Sequence, residues 1–511
     1  MKQTILYSAI AMTLASGSAM AASTNNQATV GQSGVGGNSA TIDQSNNSVQ
    51  NTATITQVGT GAGGNTANIE QRSTATSTSS VTQTGENNQA TVTQHTSTAG
   101  STATVDSTGK NNIANVTQRI GNGNATAAVT QDGEDNSATI DQYNADGATS
   151  TVAQTGNDNT ASIDNNLSDH ATASIDQTGD NSNANVTQTY SDGATAEVNQ
   201  NGSDHNATIT QNTQNFSYGS ESTLARITQS DTSNSATITQ GNLGNSAIVT
   251  QAGNLNKATV DQVNSSSGSS SSTQSGENNS VLITQNGTEN ISTTTQTGED
   301  NSLTITQMGD RNNVTADQSG FEDTAVIAQT GNDNTVNVGQ DGSSQSSINI
   351  GQTGDFNTAN ATTSHGADLM INQTGQTNLA TGYAANGANV TITQDGTGTP
   401  GHSANVYADG TSTVTVTQED LNQVAELNVQ GDLNMVTSEQ FGESQYVMLD
   451  LDGDSNTVTA LQTGLDHSAT LTIDGNSNNV SVSQHDSLNM ASVHTVGDGN
   501  TVSIMQGVTT P

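Results

Sequence analysis

Catalysis, metal binding and redox chemistry each need particular side chains at particular spacings. The sequence supplies few of them: no cysteine, eight histidines, and 47 Asp and Glu against seven Lys and Arg. Without Cys there is no disulfide, thiolate nucleophile or Cys-ligated zinc, and no inference about redox compartment. The histidines are scattered singly, with no pair at a metal-ligand spacing. The richest oxygen cluster is Asp450-Leu451-Asp452-Gly453-Asp454-Ser455-Asn456, which looks like a calcium loop. It lacks the Gly spacing and distal Glu of an EF-hand. Leu451 is expected to face inward, so the segment reads as an acidic turn. Ser and Asp are too abundant for a catalytic triad to be read from their presence. No Gly-rich phosphate loop lies between a strand and a helix. No catalytic, cofactor-binding or metal residue is assigned, and an enzyme is not expected.

The side chains that do recur with a fixed spacing are amides. The pattern Asn-x-Ala-x-(Val/Ile)-x-Gln appears at Asn51-Ala53-Ile55-Gln57, Asn88-Ala90-Val92-Gln94, Asn136-Ala138-Ile140-Gln142 and Asn234-Ala236-Ile238-Gln240, among others. The closing Gln returns about every eleven residues, and Gln440, Gln462, Gln484 and Gln506 are spaced by 22. Apolar and polar residues alternate within each segment, which is the strand signature. Acidic Gly-rich turns separate the segments, as at Gln83-Thr84-Gly85-Glu86-Asn87-Asn88, Gln131-Asp132-Gly133-Glu134-Asp135-Asn136 and Gln296-Thr297-Gly298-Glu299-Asp300-Asn301, the last followed by Gln307. Gly and Asn tolerate the positive φ such turns need. Gly156, Gly331 and Gly354 are expected to serve the same purpose.

A single segment has too little apolar surface to fold alone, since one Val or Ile contributes only about 1.5–3 kcal/mol when buried. Stacking segments in register repeats that gain. It also sets identical Asn and Gln side chains about 4.8 Å apart, where their amides can form ladders. The expected fold is therefore an all-β solenoid of about 21 strand-turn-strand rungs, each about 22–23 residues long, with cross-β character. Asn51, Gln57, Gln83, Asn88, Gln94, Gln131, Asn136, Gln142, Asn234, Gln240, Gln296, Asn301, Gln307, Gln440, Gln462, Gln484 and Gln506 are the expected ladder residues.

Composition is consistent with this picture. The 511 residues are 29% hydrophobic, 11% charged and 2% aromatic, with a net charge of −40. Such values exclude ordinary oily cores and raise disorder as an alternative. Only two prolines, few lysines and the fixed apolar period argue against disorder. The acidity argues against nucleic acid as a partner, because phosphate binding needs basic patches. Residues 1–21 read as a secretory signal peptide, with Lys2, an apolar run from Ile5 to Leu14 and an Ala19-Met20-Ala21 cleavage site. That run is too short to span a membrane, and no later segment approaches the required length. Residues 22–511 read as one repeat array. Irregular rungs are expected near 212–224, near 263–273 (a serine run read as a longer turn or insertion) and near 397–410 (which contains Pro400). Beyond these the inner face becomes more aliphatic, at Leu427, Val429, Val447, Leu449, Leu451, Leu471 and Ile473.

The unit resembles the curlin repeat of curli amyloid fibres, whose pattern is Ser-x5-Gln-x-Gly-x-x-Asn-x-Ala-x3-Gln. Gln83-x-Gly85-x-x-Asn88-x-Ala90-x3-Gln94 and Gln131-x-Gly133-x-x-Asn136-x-Ala138-x3-Gln142 match its turn and second half. Gln296-x-Gly298-x-x-Asn301 with Gln307 keeps the turn but carries Leu303 in place of Ala. Similar matches recur along nearly the whole chain after the signal peptide. The resemblance implies a secreted subunit that polymerises into extracellular fibres of the biofilm matrix and surface adhesion. It further implies a nucleator subunit, an outer-membrane export pore and a periplasmic chaperone as partners. The chain has more rungs than the familiar short curlins and no Gly-rich leader before its first repeat.

The expected mechanism is templated strand addition at an open rung edge, since no capping element is visible in the sequence. Acidic residues in turns and on the outer face would act as gatekeepers, so assembly should accelerate as salt rises or as pH falls towards about 4. Two alternatives use the same solenoid. Outward Thr-x-Thr pairs such as Thr91/Thr93, Thr208/Thr210 and Thr237/Thr239 resemble ice-binding surfaces, although Asn68, Glu70, Asp43, Asp141 and Asp176 break the array. A non-polymerising surface adhesin is the other.

Overall fold

The computed structural model describes residues 25–46, 48–96, 99–213, 223–396 and 398–507. Residues 1–21 lie outside the described residues, as do 214–222 of the first irregular stretch and Thr397 of the third. Among the described residues there are 42 β-strands and no helix, from Gln27–Gly34 to Thr501–Gln506. Two compact units are distinguished. The first runs to Leu255 and includes Asp261–Ser266, and the second comprises Asn256–Val260 and the chain from Ser267 onward.

In the first unit successive strands alternate between two parallel sheets, so each strand pairs with the strands two before and two after it. Thr149–Asn157 lies between Thr126–Glu134 and Thr172–Asp180, and Ser137–Tyr143 lies between Ile113–Arg119 and Thr160–Asn166. Parallel neighbours cannot be joined by a tight hairpin, and the intervening strand in the opposite sheet serves as the crossover. The register sets like on like: Val129, Val152 and Ile175 align, as do Gln131, Gln154 and Gln177. Such a register is strongly specified, because a one-residue slip would turn every inner side chain outward.

The second unit repeats this arrangement. Ser269–Glu277, Ile291–Glu299 and Asn313–Phe321 pair in one sheet, and Ser280–Thr288, Ser302–Met308 and Thr324–Thr330 pair in the other. Ile283, Ile305 and Ile327 stack fully buried. The register shifts once, where an extra residue in Thr335–Ser344 lies opposite Ser319 and Gly320.

One expectation is corrected here. The serine run is neither a long turn nor an insertion: Ser269–Glu277 is a regular strand with Ser270 and Ser272 buried. Its weak strand propensity is overridden because Ser292 and Thr294 of the next strand fix its register. Around Pro400 the irregularity is confined to a loop, since Asn389–Gly396 and Ser403–Asp409 are both paired strands. The aliphatic inner face further on has Leu427, Val429, Val447, Leu449, Leu451, Leu471 and Ile473 all buried.

Candidate assembly site: the buried amide ladders

Many strands carry an inner Gln close to their end, and the turn that follows contains residues at positive φ. In the turn after Gln296, Gly298 has φ +113° and Asp300 has φ +58°. A Cβ on Gly298 would run into the carbonyl oxygen of Gly320, one turn on. Gly331 meets the carbonyl of Gly354 in the same way, and Gly85, Gly133, Gly156 and Gly354 each face the backbone of the following turn. Only glycine satisfies both the dihedral and the close approach.

The Gln side chains form columns joined by amide–amide hydrogen bonds. In the first unit Gln32 donates to Gln57 at 2.7 Å and Gln57 to Gln83 at 2.8 Å. Ser107 interrupts this column, and it resumes as Gln131, Gln154, Gln177, Gln200, Gln229 and Gln251. In the opposite sheet Gln44, Gln71, Gln94, Gln118 and Gln142 are linked, Asn165 interrupts, and Gln188, Gln211, Gln240 and Gln262 continue. In the second unit one column runs through Gln274, Gln296, Gln318 and Gln340. The other is unbroken from Gln285 through Gln307, Gln329, Gln352, Gln373, Gln394, Gln418, Gln440, Gln462 and Gln484 to Gln506, with each bond between 2.8 and 3.0 Å. Every Nε2 in it points toward the next turn. Its second hydrogen goes to a backbone carbonyl of the facing strand, as from Gln307 to Ile291 at 2.9 Å. This pairing accounts for amides buried in an otherwise apolar core.

An Asn column lies at the turns. Asn88 Oδ1 accepts the Asn112 N–H, Asn112 Oδ1 accepts that of Asn136, and Asn136 Oδ1 that of Asn159. Their Nδ2 groups donate to turn carbonyls, as Asn136 does to Gly156 at 2.7 Å. Asn51 accepts from Ser77, Asn234 donates to Ser230 and Gly253, and Asn301 accepts from Asp323 and donates to Gly320. Of the seventeen expected ladder residues, all but Gln506, which is half-buried, are buried.

Several participants escaped the sequence pattern. Histidines replace Asn at 205, 402 and 467, and all three are buried. The signal was present in Gln200-x-Gly202-x-x-His205 and Gln462-x-Gly464-x-x-His467. Asp323 replaces Asn in Gln318-x-Gly320-x-x-Asp323 and is also buried, contrary to the expectation that acids lie in turns or outside. Its Oδ1 accepts the Ser346 N–H as an Asn would, whereas its buried Oδ2 has no partner. Burial raises its pKa, and the Ser346 hydrogen bond opposes that rise. Beyond Gln340 one Gln column gives way to Thr363, Ala384, Ala408, Val429, Leu451, Ile473 and Thr495.

Most other acids are held along the turns. Asp432 Oδ1 accepts the Thr411 N–H, Asp454 accepts that of Asp432, and Asp498 accepts that of Asn476. Within Asp450–Asn456, Asp450 Oδ1 accepts from Asn428, Asp454 Oδ1 accepts from the Asp432 N–H, and Leu451 is buried. Among the described residues no group of three or more His, Asp or Glu could hold a metal ion. Arg311 makes a two-pronged pair with Asp333 at 2.7 Å, which lowers the Asp333 pKa. Asp164, stacked on Asp141, is raised first by burial and then by that like charge.

The Curlin associated repeat matches residues 276–309, 309–342 and 453–485. Three stretches of the chain carry this repeat. Its first two matched stretches are where Gln columns run in both sheets of the second unit. No curated protein matches the chain. No helix among the described residues is long and apolar enough to cross a membrane. Curlin repeats on a β-solenoid fit a curli-like structural subunit.

Proposed function

We propose that this curlin-repeat protein is a secreted subunit that self-assembles into extracellular, curli-like amyloid fibres of the biofilm matrix and surface adhesion. The observation that carries the reading is self-complementarity. Turns such as those of Thr149–Asn157 and Thr172–Asp180 pair in register with chemically equivalent neighbours, Gln on Gln and Val or Ile on Ile, so a turn of a second copy offers a similar surface. Among the described residues Gln27–Gly34 pairs only with Thr52–Gly59, and Thr501–Gln506 only with Asn479–Ser487. Such edges support addition of an incoming chain by backbone hydrogen bonds, with amide columns fixing its register. Residues 1–21 act as the signal peptide in this reading, and the implied partners are a nucleator, an outer-membrane pore and a periplasmic chaperone. Immuno-electron microscopy of producing cells tests the location. Label on extracellular fibres is expected, and label retained inside the cells would reject the reading.

A further inference from the structure

Three histidines stand where the Asn column otherwise has an amide. His205, His402 and His467 are each 1% exposed. Each ring accepts a backbone hydrogen bond at Nδ1, from the N–H of Asn234, Gln423 and Asn489 respectively, all at 3.3 Å. Asn Oδ1 accepts the equivalent bond in other turns, as Asn334 does from Asn357 at 2.9 Å. On the far side of the ring, Nε2 lies 3.3 Å from the Asn201 carbonyl in His205 and 3.0 Å from the Thr463 carbonyl in His467. Those carbonyls are four residues back, the place an Asn Nδ2 reaches when Asn378 donates to Thr374 at 2.9 Å. In His402 the preceding loop is longer, and Nε2 is buried without a hydrogen-bond partner.

In His205 and His467 a neutral imidazole protonated on Nε2 reproduces both functions of the amide, and in His402 it reproduces the acceptor alone. An imidazolium carries hydrogen on both nitrogens and cannot accept at Nδ1. We propose that His205 and His402 are acid-sensitive joints in the turn ladder, closed while the ring is neutral and released when protonation turns Nδ1 from an acceptor into a donor facing a backbone N–H. Turns built on Asn have no such transition.

The surroundings set the direction. Burial is the largest influence on His205 and His402 and lowers both pKa values from 6.5. The Asn201 carbonyl and the carboxylates of Asp231 and Asp204 oppose this at His205, and the backbone and carboxylate of Asp395 with Asp420 oppose it at His402. At His205 and His402 the folded value lies below the unfolded one, so the unfolded chain binds more protons on acidification. The stabilisation is therefore complete above about 6.5 and is lost as pH falls below it toward the folded value. This window lies above the ordinary carboxylate range.

The test is amide hydrogen exchange of the full chain between pH 7.5 and 5.5, corrected for intrinsic rates. It follows the N–H groups of Asn234 and Gln423, with that of Asn357 as an Asn-held reference. Protection at the His-held amides should fall by up to about tenfold per pH unit below about 6.5, and Asn357 should not follow. His205→Asn and His402→Asn should each abolish the fall at their own turn, and His365→Asn, at an exposed position outside the column, should leave both unchanged. Should an Asn variant fail to fold, His402→Gln replaces it, since Gln423 already occupies this column. A native chain without the fall, or a fall that persists in the variants, would overturn the proposal.

Discussion

Gln307→Leu removes one member of the unbroken Gln column while keeping the side chain's approximate volume. Three hydrogen bonds go with it: Gln285 to Gln307 Oε1 at 2.8 Å, Gln307 Nε2 to Gln329 Oε1 at 3.0 Å, and Gln307 Nε2 to the Ile291 carbonyl at 2.9 Å. At about 1 kcal/mol net per bond, and with about 1–3 kcal/mol for the buried Gln329 oxygen deprived of this donor, the loss is about 4–6 kcal/mol. Greater apolar burial by Leu returns about 1–2 kcal/mol. The net cost of about 3 kcal/mol corresponds to roughly a hundredfold in a local opening equilibrium. Long repeat arrays do not unfold in one step, so local hydrogen exchange is the suitable assay. Protection should drop in Ser302–Met308 and in its neighbours Ser280–Thr288 and Thr324–Thr330. Unchanged or increased protection would refute the reasoning, because the amides would then contribute no more than volume.

The reverse substitution, Leu451→Gln, places a buried amide between Val429 and Ile473, which cannot pair with it; a local loss of about 3 kcal/mol is expected by the same exchange measurement. Gly298→Ala should loosen its turn, because the new Cβ meets the Gly320 carbonyl and φ is +113°; susceptibility to proteolysis at Gly298–Asn301 reports this. At Asp323 the raised folded pKa makes the sign opposite to that of the histidines. Its stabilisation is present below the unfolded value of 3.8 and is lost as pH rises through the folded one, so Asp323→Asn should stabilise the second unit at pH 7 by about 1–2 kcal/mol and flatten its pH dependence, as followed by exchange of the Ser346 amide.

Much of the architecture is legible in the sequence because period-two alternation and the eleven-residue return of Gln leave only one set of residues to face inward. Like-on-like register follows once Ala53, Ile55 and Gln57 must be buried together. Other features depend on the neighbouring strand rather than on local pattern. Ser269–Glu277 has little strand propensity of its own, and its order comes from Ile291–Glu299 beside it. The replacement of Gln by Val429, Leu451 and Ile473 is visible as a 22-residue spacing, but the placement of these residues in one column needs the topology. Removing both partners of an amide pair is tolerated where removing one is costly, which is why the change extends along a column. His205, His467 and Asp323 stand in the turn motif at the Asn position. A search for metal spacing passes over them because their partners are backbone groups of adjacent turns.

The central claim is that identical in-register turns let one copy template another. Its most direct test is to refold the purified chain from denaturant, with and without fragments of its own assembled material, while following the samples by electron microscopy and fibre diffraction. The account predicts fibres with a meridional reflection near 4.8 Å and a lag shortened by the fragments. A chain that refolds to a soluble monomer, and stays so for hours beside those fragments, would contradict it.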